Sequence, residues 1–211
     1  MSAPRGVFIV LEGGEGSGKS TQAQMLARRL RAESRPVVET FEPGGTARGA
    51  LLRSVLLDDD TPLDPRAELL LLAADRAQHV TELIEPALAR GAVVICDRFS
   101  PSTLVYQGVA RGLGVDAVSV IDTFAAQGAQ PDVVVVLDVS EAVARQRLPE
   151  ARDRFERAGA EFHVAVRGAY RDLAAQRGWI VVAGDAAPDV VAAEVWAAVA
   201  PHLSDPSEPS H

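Results

Sequence analysis

The sequence predicts an α/β fold of three layers, in which a five-stranded parallel sheet lies between two layers of helices. Short runs rich in β-branched residues alternate with segments of helical periodicity, which is the pattern of βαβ units. These runs are almost wholly apolar, as expected for strands that are covered on both faces. With 211 residues, 47% of them hydrophobic, the chain can bury the core of one domain. We therefore expect a single domain at residues 1–203, followed by a disordered polar tail at 204–211.

The expected strands occupy residues 7–11, 37–40, 92–96, 133–137 and 179–183. The expected helices occupy residues 19–33, 47–57, 65–90, 102–113, 116–128, 140–148, 160–177 and 188–203. Pro86 should kink or split the third helix, because proline lacks an N–H group and clashes with the preceding turn. Ser100 and Pro101 suit the N-cap and first position of the fourth helix.

Composition limits the partners and the location of the protein. The formal net charge of −8 should repel nucleic acid, so an anionic small ligand would need a locally basic pocket. Cys96 is the only cysteine, which excludes an internal disulfide and is compatible with a reducing compartment. No apolar run is long enough to span a bilayer, and the N-terminus does not resemble a signal peptide. We expect a cytoplasmic protein without membrane or nucleic-acid partners.

A phosphate-binding loop follows the first predicted strand. Residues 13–20, G-G-E-G-S-G-K-S, fit the pattern G-x-x-x-x-G-K-[ST] and precede an amphipathic helix. Glycines let backbone N–H groups point inward around phosphate oxygens, and the helix adds the positive end of its dipole. The candidate ATP-binding residues here are Gly13, Gly14, Glu15, Gly16, Ser17, Gly18, Lys19, Ser20 and Thr21. Lys19 should reach the β- and γ-phosphates and Ser20 should hold Mg²⁺, but the loop alone does not specify the reaction.

Two predicted strands end in an acidic residue that could assist Mg²⁺. We favour Asp97, because Arg98 follows it directly and both would lie in the ligand crevice at the carboxyl end of a parallel strand. For Asp138 we favour the role of a helix N-terminal acid in the turn before Ser140. The chain has no N-K-x-D motif for reading guanine, which disfavours a GTPase switch.

Two further features leave alternatives open. Five arginines lie within residues 145–157, and they suit either a mobile lid that stabilises a transferring phosphoryl group or a solvated helix of ion pairs. On the 65–90 helix, Leu72, Arg76 and His79 project in one direction. Spacing alone favours an Arg76 that extends to solvent and a His79 with a structural role.

Four segments after the loop carry a resemblance to a known family. They are E-P-G-G-T at 42–46, A-A-D-R-A-Q-H at 73–79, D-R-F at 97–99 and S-T-L-V-Y-Q-G at 102–108. With these segments in this order, the chain resembles bacterial thymidylate kinases over nearly its whole length. The resemblance implies a P-loop kinase fold, transfer of the γ-phosphoryl group of ATP to dTMP with Mg²⁺, and a homodimer.

The resemblance also implies roles for individual residues. The implied dTMP-binding residues are Glu15, Arg53, Leu72, Arg76, Arg98, Thr103, Tyr106 and Gln107. Within this set, Glu15 matches the acid that contacts the 3′-hydroxyl of dTMP, and Arg98 and Arg53 match arginines that bind its phosphate. Arg76 matches the arginine that bonds to a thymine carbonyl, and Gln107 matches a glutamine that contacts the base. Thr103 and Tyr106 match neighbouring pocket positions, and the Glu42–Pro43 bond is expected to be cis.

The position of the catalytic arginine separates two subgroups of the family. One subgroup has an arginine where this chain has Gly16, and the other carries it in the lid, so this chain resembles the lid type. The implied catalytic residues are Lys19, Asp97, Arg98, Arg152 and Arg154. Arg147 is expected behind the last two, and Ser20 and Asp97 are expected at the metal, partly through water. Arg145 is expected to pack against adenine, beside a loop at 184–188.

Three departures from the family pattern leave other activities open. Phe41 stands where the family usually has arginine, Leu72 replaces the phenylalanine that stacks on thymine, and the lid is a few residues short. The alternatives are a kinase for another nucleoside monophosphate or a small alcohol, a nucleotide-dependent switch, and a relative that kept the fold without turnover.

Overall fold

The computed structural model describes residues 5–58, 63–148 and 159–203. The predicted tail at 204–211 and most of the predicted lid, including Arg152 and Arg154, lie outside these ranges. The strands are β1 (Phe8–Glu12), β2 (Val37–Phe41), β3 (Val93–Asp97), β4 (Val133–Asp138) and β5 (Ile180–Ala183). They form one parallel sheet in the order β2-β3-β1-β4-β5, which confirms the predicted fold class.

The helices of the described residues are α1 (Lys19–Ala32), α2 (Ala47–Leu56), α3 (Pro65–His79), α4 (Glu85–Ala89), α5 (Ser100–Thr103), α6 (Val115–Ala126), α7 (Glu141–Arg147), α8 (Ala160–Arg177) and α9 (Pro188–Val199). Two π-helical segments, Val80–Ile84 and Leu104–Ala110, follow α3 and α5, and a short 3₁₀ turn at Ala200–His202 follows α9. None of the helices in these described ranges is long and apolar enough to cross a membrane.

The helix predicted at 65–90 is divided, as its proline suggested. The division begins at Val80, where a π-helical turn takes over, and the N–H of Glu85 bonds to the carbonyl of Val80 five residues earlier. Pro86 lies in the first turn of α4, directly after the π-helical turn, which is where a residue without an N–H group should interrupt regular helix bonding.

The predicted N-cap at Ser100 is wrong by one residue. The N-cap is Phe99, and α5 begins at Ser100. The Glu12 carboxylate accepts hydrogen bonds from the N–H groups of Phe99 and Ser102, at 2.9 and 3.2 Å, so a distant acid satisfies donors that a local cap would otherwise serve.

The core lies in two layers, one on each face of the sheet. Phe8 and Val10 of β1 pack toward α3, α4, α6 and α8, and Ile9 and Leu11 pack toward α1 and α9. Successive side chains of a strand point to opposite faces, so each strand contributes to both layers. The carboxyl ends of β3, β1 and β4 lie side by side, and the segments after them therefore meet at one edge of the sheet.

Candidate active site

The phosphate-binding loop connects β1 to α1 and requires glycine at specific positions. Gly13, Gly16 and Gly18 have φ angles of 139°, 71° and 90°. A Cβ atom at Gly13 would lie 2.5 Å from the carbonyl oxygen of Leu137, and one at Gly16 would lie 2.8 Å from that of Ala144. The sequence therefore allows the backbone to curl tightly against the end of β4.

Lys19 lies at the centre of this loop. Its ammonium donates hydrogen bonds to the carbonyl oxygens of Gly13 and Gly14, at 3.2 and 2.9 Å, and to Ser17 Oγ at 3.2 Å. Burial, together with the charge of Arg98, lowers the pKa of the Lys19 amine, although the neighbouring acids oppose this shift. The loop thus fixes a cation where phosphate oxygens would enter. Thr21, the last predicted residue of this segment, is exposed in the first turn of α1.

Ser20 and Asp97 form a direct pair between α1 and β3. The Ser20 hydroxyl donates to Asp97 Oδ2 at 2.6 Å. Hydroxyl and carboxylate oxygens are ligands that Mg²⁺ accepts, and Mg²⁺ usually keeps water and substrate phosphates as its other ligands. No group of three or more His, Cys, Asp or Glu side chains in the described ranges could hold a metal alone. The pair therefore fits a metal that is held largely by phosphate and water.

Arg98 has a left-handed backbone conformation, with φ 71°, that is uncommon outside glycine. Its side chain donates to Glu15 Oε1 at 2.6 Å and to the carbonyl oxygen of Gly13 at 3.1 Å. Burial raises the pKa of Glu15, but the positive charges of Arg98 and Lys19 outweigh it and lower the pKa to about 2. The Tyr106 hydroxyl donates to the same Glu15 oxygen at 3.1 Å. Glu15 is therefore an ionised acceptor at neutral pH.

Glu12, at the end of β1, is a buried acid beside this cluster for which the sequence predicted no role. Its buried carboxylate accepts from the hydroxyls of Ser102 and Tyr170, at 2.6 and 2.7 Å, besides the backbone N–H groups of Phe99 and Ser102. Burial raises the pKa of Glu12, opposed chiefly by the charge of Arg98. An acid that ends an apolar buried strand was the available signal, because such a charge needs partners.

Arg76 is not extended to solvent, so the alternative favoured from spacing is wrong. The side chain is 2% exposed and donates to Glu42 Oε2 from Nε and Nη2, at 3.0 and 2.8 Å. Its Nη1 donates to Asp122 on α6. These bonds use three of the five N–H groups of an arginine, and two remain for another partner. The Glu42–Pro43 bond is cis, as the resemblance implied.

His79 is fully buried and belongs to the same network. Its ring nitrogens lie 2.9 Å from Glu42 Oε1 and 2.6 Å from Thr40 Oγ1, in agreement with the structural role expected for it.

The remaining predicted dTMP residues surround this network. Gln107 Nε2 donates to Glu68 on α3 at 2.6 Å, and Thr103 is buried one turn before Gln107. Leu72 is half-buried on α3. Arg53 donates to the carbonyl oxygen of Pro43 at 2.7 Å, and its guanidinium carbon lies 5.6 Å from the centre of the exposed Phe41 ring.

Asp138 does not have the predicted role of a helix N-terminal acid. Its carboxylate accepts from Arg167 Nε at 2.7 Å and Nη2 at 3.1 Å, and from Arg171 Nε at 3.1 Å. Burial raises the pKa of Asp138, but the hydrogen bonds from these arginines outweigh it and lower the pKa. Ser140 supplies the cap of α7 instead, because its hydroxyl accepts from the N–H of Val143 at 3.4 Å.

The two described arginines of the 145–157 segment differ in their contacts. Arg145 is 75% exposed and forms an ion pair with Glu141 on its own helix, so its predicted contact with adenine stays a prediction. Arg147 Nη2 donates to the carbonyl oxygen of Gly184 at 2.9 Å and thereby joins α7 to the loop at 184–188.

A cavity of about 520 Å³ lies between the phosphate-binding loop, the end of β4, α7 and α8. Its wall includes Gly13 and Glu15 on one side and Arg145 and Arg167 on the other. This volume is in the range of sites for small molecules. The loop holds Lys19 beside Arg98 and the Ser20–Asp97 pair, and the cavity adjoins it, so the fold and the site are those of a P-loop phosphotransferase.

Comparison with known proteins identifies the family within this class. The family model for thymidylate kinase matches residues 11–195. A thymidylate kinase of Synechococcus sp. (strain JA-3-3Ab) is 49% identical over 201 residues, which cover 93% of this chain and 97% of that protein. One of Leifsonia xyli subsp. xyli is 46% identical over 202 residues, covering 92% and 96% of the two chains.

A solved structure, the thymidylate kinase from Ehrlichia chaffeensis, superposes with a TM-score of 0.76 at 30% identity, covering 91% of this chain and 97% of that one. The chain therefore belongs to the thymidylate kinase family and is an ATP-dependent kinase.

Proposed function

We propose that this chain transfers the γ-phosphoryl group of ATP to dTMP, giving ADP and dTDP. The observation that carries this proposal is the cluster of Lys19, Arg98 and Glu15, in which Arg98 donates to Glu15 and both cations donate to the Gly13 carbonyl oxygen. This cluster adjoins the Ser20–Asp97 pair at the carboxyl ends of β1 and β3. It supplies cations for two sets of phosphates and one acceptor for a sugar hydroxyl within a single crevice. These are the requirements of a nucleotide donor facing a nucleotide acceptor.

The protein's main contribution is to position two anions and to neutralise charge, because phosphoryl transfer needs little covalent chemistry from the enzyme. The backbone N–H groups of the loop and Lys19 bind the β- and γ-phosphates of ATP. Arg98 and Arg53 bind the phosphate of dTMP and orient its oxygen toward the γ-phosphorus. Arg152 and Arg154 are proposed to stabilise the transferring group, and Arg145 to contact adenine.

Ser20 and Asp97 are proposed to hold Mg²⁺, partly through water. When bound, the ion neutralises charge on the β- and γ-phosphate oxygens. The Ser20–Asp97 hydrogen bond of 2.6 Å holds both oxygens close together beside the phosphate loop.

The nucleoside end of dTMP is proposed to lie between α3 and the π-helical segment after α5. Glu15 accepts the 3′-hydroxyl, because it is ionised at neutral pH and can only accept. Leu72 packs against the base, Arg76 uses a remaining N–H for a thymine carbonyl, and Gln107 contacts the base edge.

The cytoplasmic location stays the prediction made from the sequence.

A homodimer is also proposed, and it is supported by an apolar surface. Helix α3 packs against α2 and against α6, and each of the three presents large apolar side chains to solvent, namely Leu51, Val55, Leu70, Val120 and Phe124. Phe124 is 86% exposed.

Light scattering should give twice the chain mass for the wild type and for Val190→Glu on α9, and a smaller mass for Phe124→Glu. A monomeric wild type would refute the proposal.

The test of the activity is ADP release from Mg-ATP with dTMP, dUMP, AMP, GMP, CMP or no acceptor. Turnover that depends on dTMP is expected, and Arg98→Gln should lower it by about 10²-fold through the loss of charge-assisted hydrogen bonds. Arg90→Gln, at an exposed arginine after α4, should leave it unchanged. Turnover with the other monophosphates would indicate a different kinase. ATP binding without any acceptor dependence would indicate a switch or an inactive relative.

A further inference from the structure

Glu68 is a buried acid on α3 to which neither the sequence motifs nor the proposed reaction assigns a role. It is 1% exposed. Its Oε1 accepts a hydrogen bond of 2.6 Å from Gln107 Nε2, and its Oε2 lies 3.3 Å from Arg111 Nη2 in an ion pair. Gln107 is equally buried, at 1% exposed. A charged acid and an amide are thus joined inside the protein.

The carboxylate fixes which end of the Gln107 amide faces it. An ionised carboxylate only accepts hydrogen bonds, whereas an amide has a donating NH₂ end and an accepting oxygen end. The NH₂ group of Gln107 must therefore face Glu68, and turning the amide over would set two acceptors against each other. The amide oxygen is on the other side of the amide from the bonded NH₂ group and is directed away from Glu68.

The position of this pair relates it to the proposed base site. Glu68 precedes Leu72 by one helical turn and Arg76 by two, so the three side chains lie along one stripe of α3. Gln107 follows Tyr106, whose hydroxyl bonds to Glu15 at the proposed sugar site. A base seated against Leu72 would meet the side chain of Gln107.

We propose that Glu68 is a positioning residue that sets the base specificity of the acceptor site by holding Gln107 with its oxygen toward the base. This rests on the proposed function. Thymine and uracil carry a hydrogen on N3, which the fixed amide oxygen accepts. Cytosine has a lone pair on N3, and against the same oxygen it leaves two acceptors facing each other. Discrimination against cytosine therefore comes from an unfavourable contact as well as a lost bond.

Glu68→Gln tests this directly, because it keeps the size of the side chain and adds a donor. Gln107 can then turn over and offer its NH₂ group to the base. The measurement is kcat/KM for dTMP, dUMP and dCMP, with dCMP also measured as a competitive inhibitor of dTMP use. We expect the dTMP-to-dCMP ratio to fall at least tenfold. The dTMP-to-dUMP ratio should be unchanged, since both bases carry the N3 hydrogen.

Two controls separate specificity from stability. Arg111→Gln removes the ion pair but keeps the Glu68 carboxylate, so it should retain the dTMP-to-dCMP ratio. In a Gln107→Met background, where the amide is absent, Glu68→Gln should leave that ratio unchanged. Gln107→Met should itself lower the ratio, which gives a second reading if Glu68→Gln does not fold.

The outcomes that overturn the inference are distinct from failure of the proposed function. If Glu68→Gln lowers kcat/KM for dTMP and for dCMP by the same factor, Glu68 has only a structural role. Retention of the ratio in Gln107→Met would show that Gln107 does not read the base edge. If the wild-type chain has no dTMP-dependent turnover, the proposed function fails first, before any variant is compared.

Discussion

Replacement of Arg76 by methionine should destabilise the fold strongly, apart from any effect on dTMP. The guanidinium is 2% exposed and bonds to two carboxylates that are nearly as buried, those of Glu42 and Asp122. Methionine fills much of the same space but leaves both acids without their cation. Breaking a buried ion pair by removing one partner costs about 3–5 kcal/mol, because the remaining charge has lost its compensation.

For a chain of this size, each kcal/mol corresponds to a shift of about 2–4 °C in the melting temperature, so Tm should fall by about 6–20 °C. The assay is thermal and urea denaturation of wild type, Arg76→Met, and a triple variant that adds Glu42→Gln and Asp122→Asn. Neutralising both acids removes the uncompensated charge, so the triple variant should be more stable than Arg76→Met alone. The energies should be strongly non-additive.

The reasoning would be refuted if Arg76→Met cost less than about 1 kcal/mol, or if the two further substitutions added their own costs to it. Either result would mean that the ion pairs around Arg76 do not hold α3 to the β2–α2 connection and α6. Because stability and base recognition both involve this residue, KM for dTMP in Arg76→Met should be measured well below its melting temperature.

Three further predictions follow from buried groups. Burial, with the charge of Glu42, raises the pKa of Asp75 to about 6, so between about pH 4 and pH 6 the folded chain keeps a proton that the unfolded chain has lost. Wild type should therefore lose stability relative to Asp75→Asn as pH rises through this window. If the difference in unfolding free energy between the two proteins, measured in urea, were the same at pH 4.5 and at pH 7, the prediction would be contradicted. Burial also raises the pKa of the Cys96 thiol well above its usual range. A thiol reagent should therefore label Cys96 only as fast as the folded chain opens. Rapid labelling of the native protein would contradict this. Tyr170→Phe removes a donor from the buried Glu12 and should cost about 1–3 kcal/mol in denaturant unfolding, whereas an unchanged midpoint would show that Glu12 does not need that bond.

The parts of the fold that depend on local pattern could be predicted from the sequence. Each strand boundary lies within one residue of its expected position, and the phosphate loop lies between β1 and α1 as its motif requires. The β-branched runs and the glycine spacing carry this information within a few residues. The two π-helical segments gave no such signal, because their residues suit an α-helix equally well.

The parts of the site that depend on distant partners could not be predicted. Glu12 and Ser102 are 90 residues apart in sequence, and Gln107 and Glu68 are 39 apart. Asp138 was misassigned for the same reason, since the local rule that favours acids near helix N-termini took no account of Arg167, 29 residues further along. A buried acid is specified by the donors that reach it, and those donors are placed by tertiary packing.

The most direct test of the central claim is to follow the label from γ-labelled ATP after incubation of the purified chain with Mg²⁺ and dTMP. The account predicts that the label appears in dTDP, that none is transferred without dTMP, and that Lys19→Ala abolishes the transfer while the exposed substitution Arg90→Gln does not. Label released as inorganic phosphate at the same rate with and without dTMP would contradict it, because the crevice would then bind and hydrolyse a nucleotide without serving an acceptor.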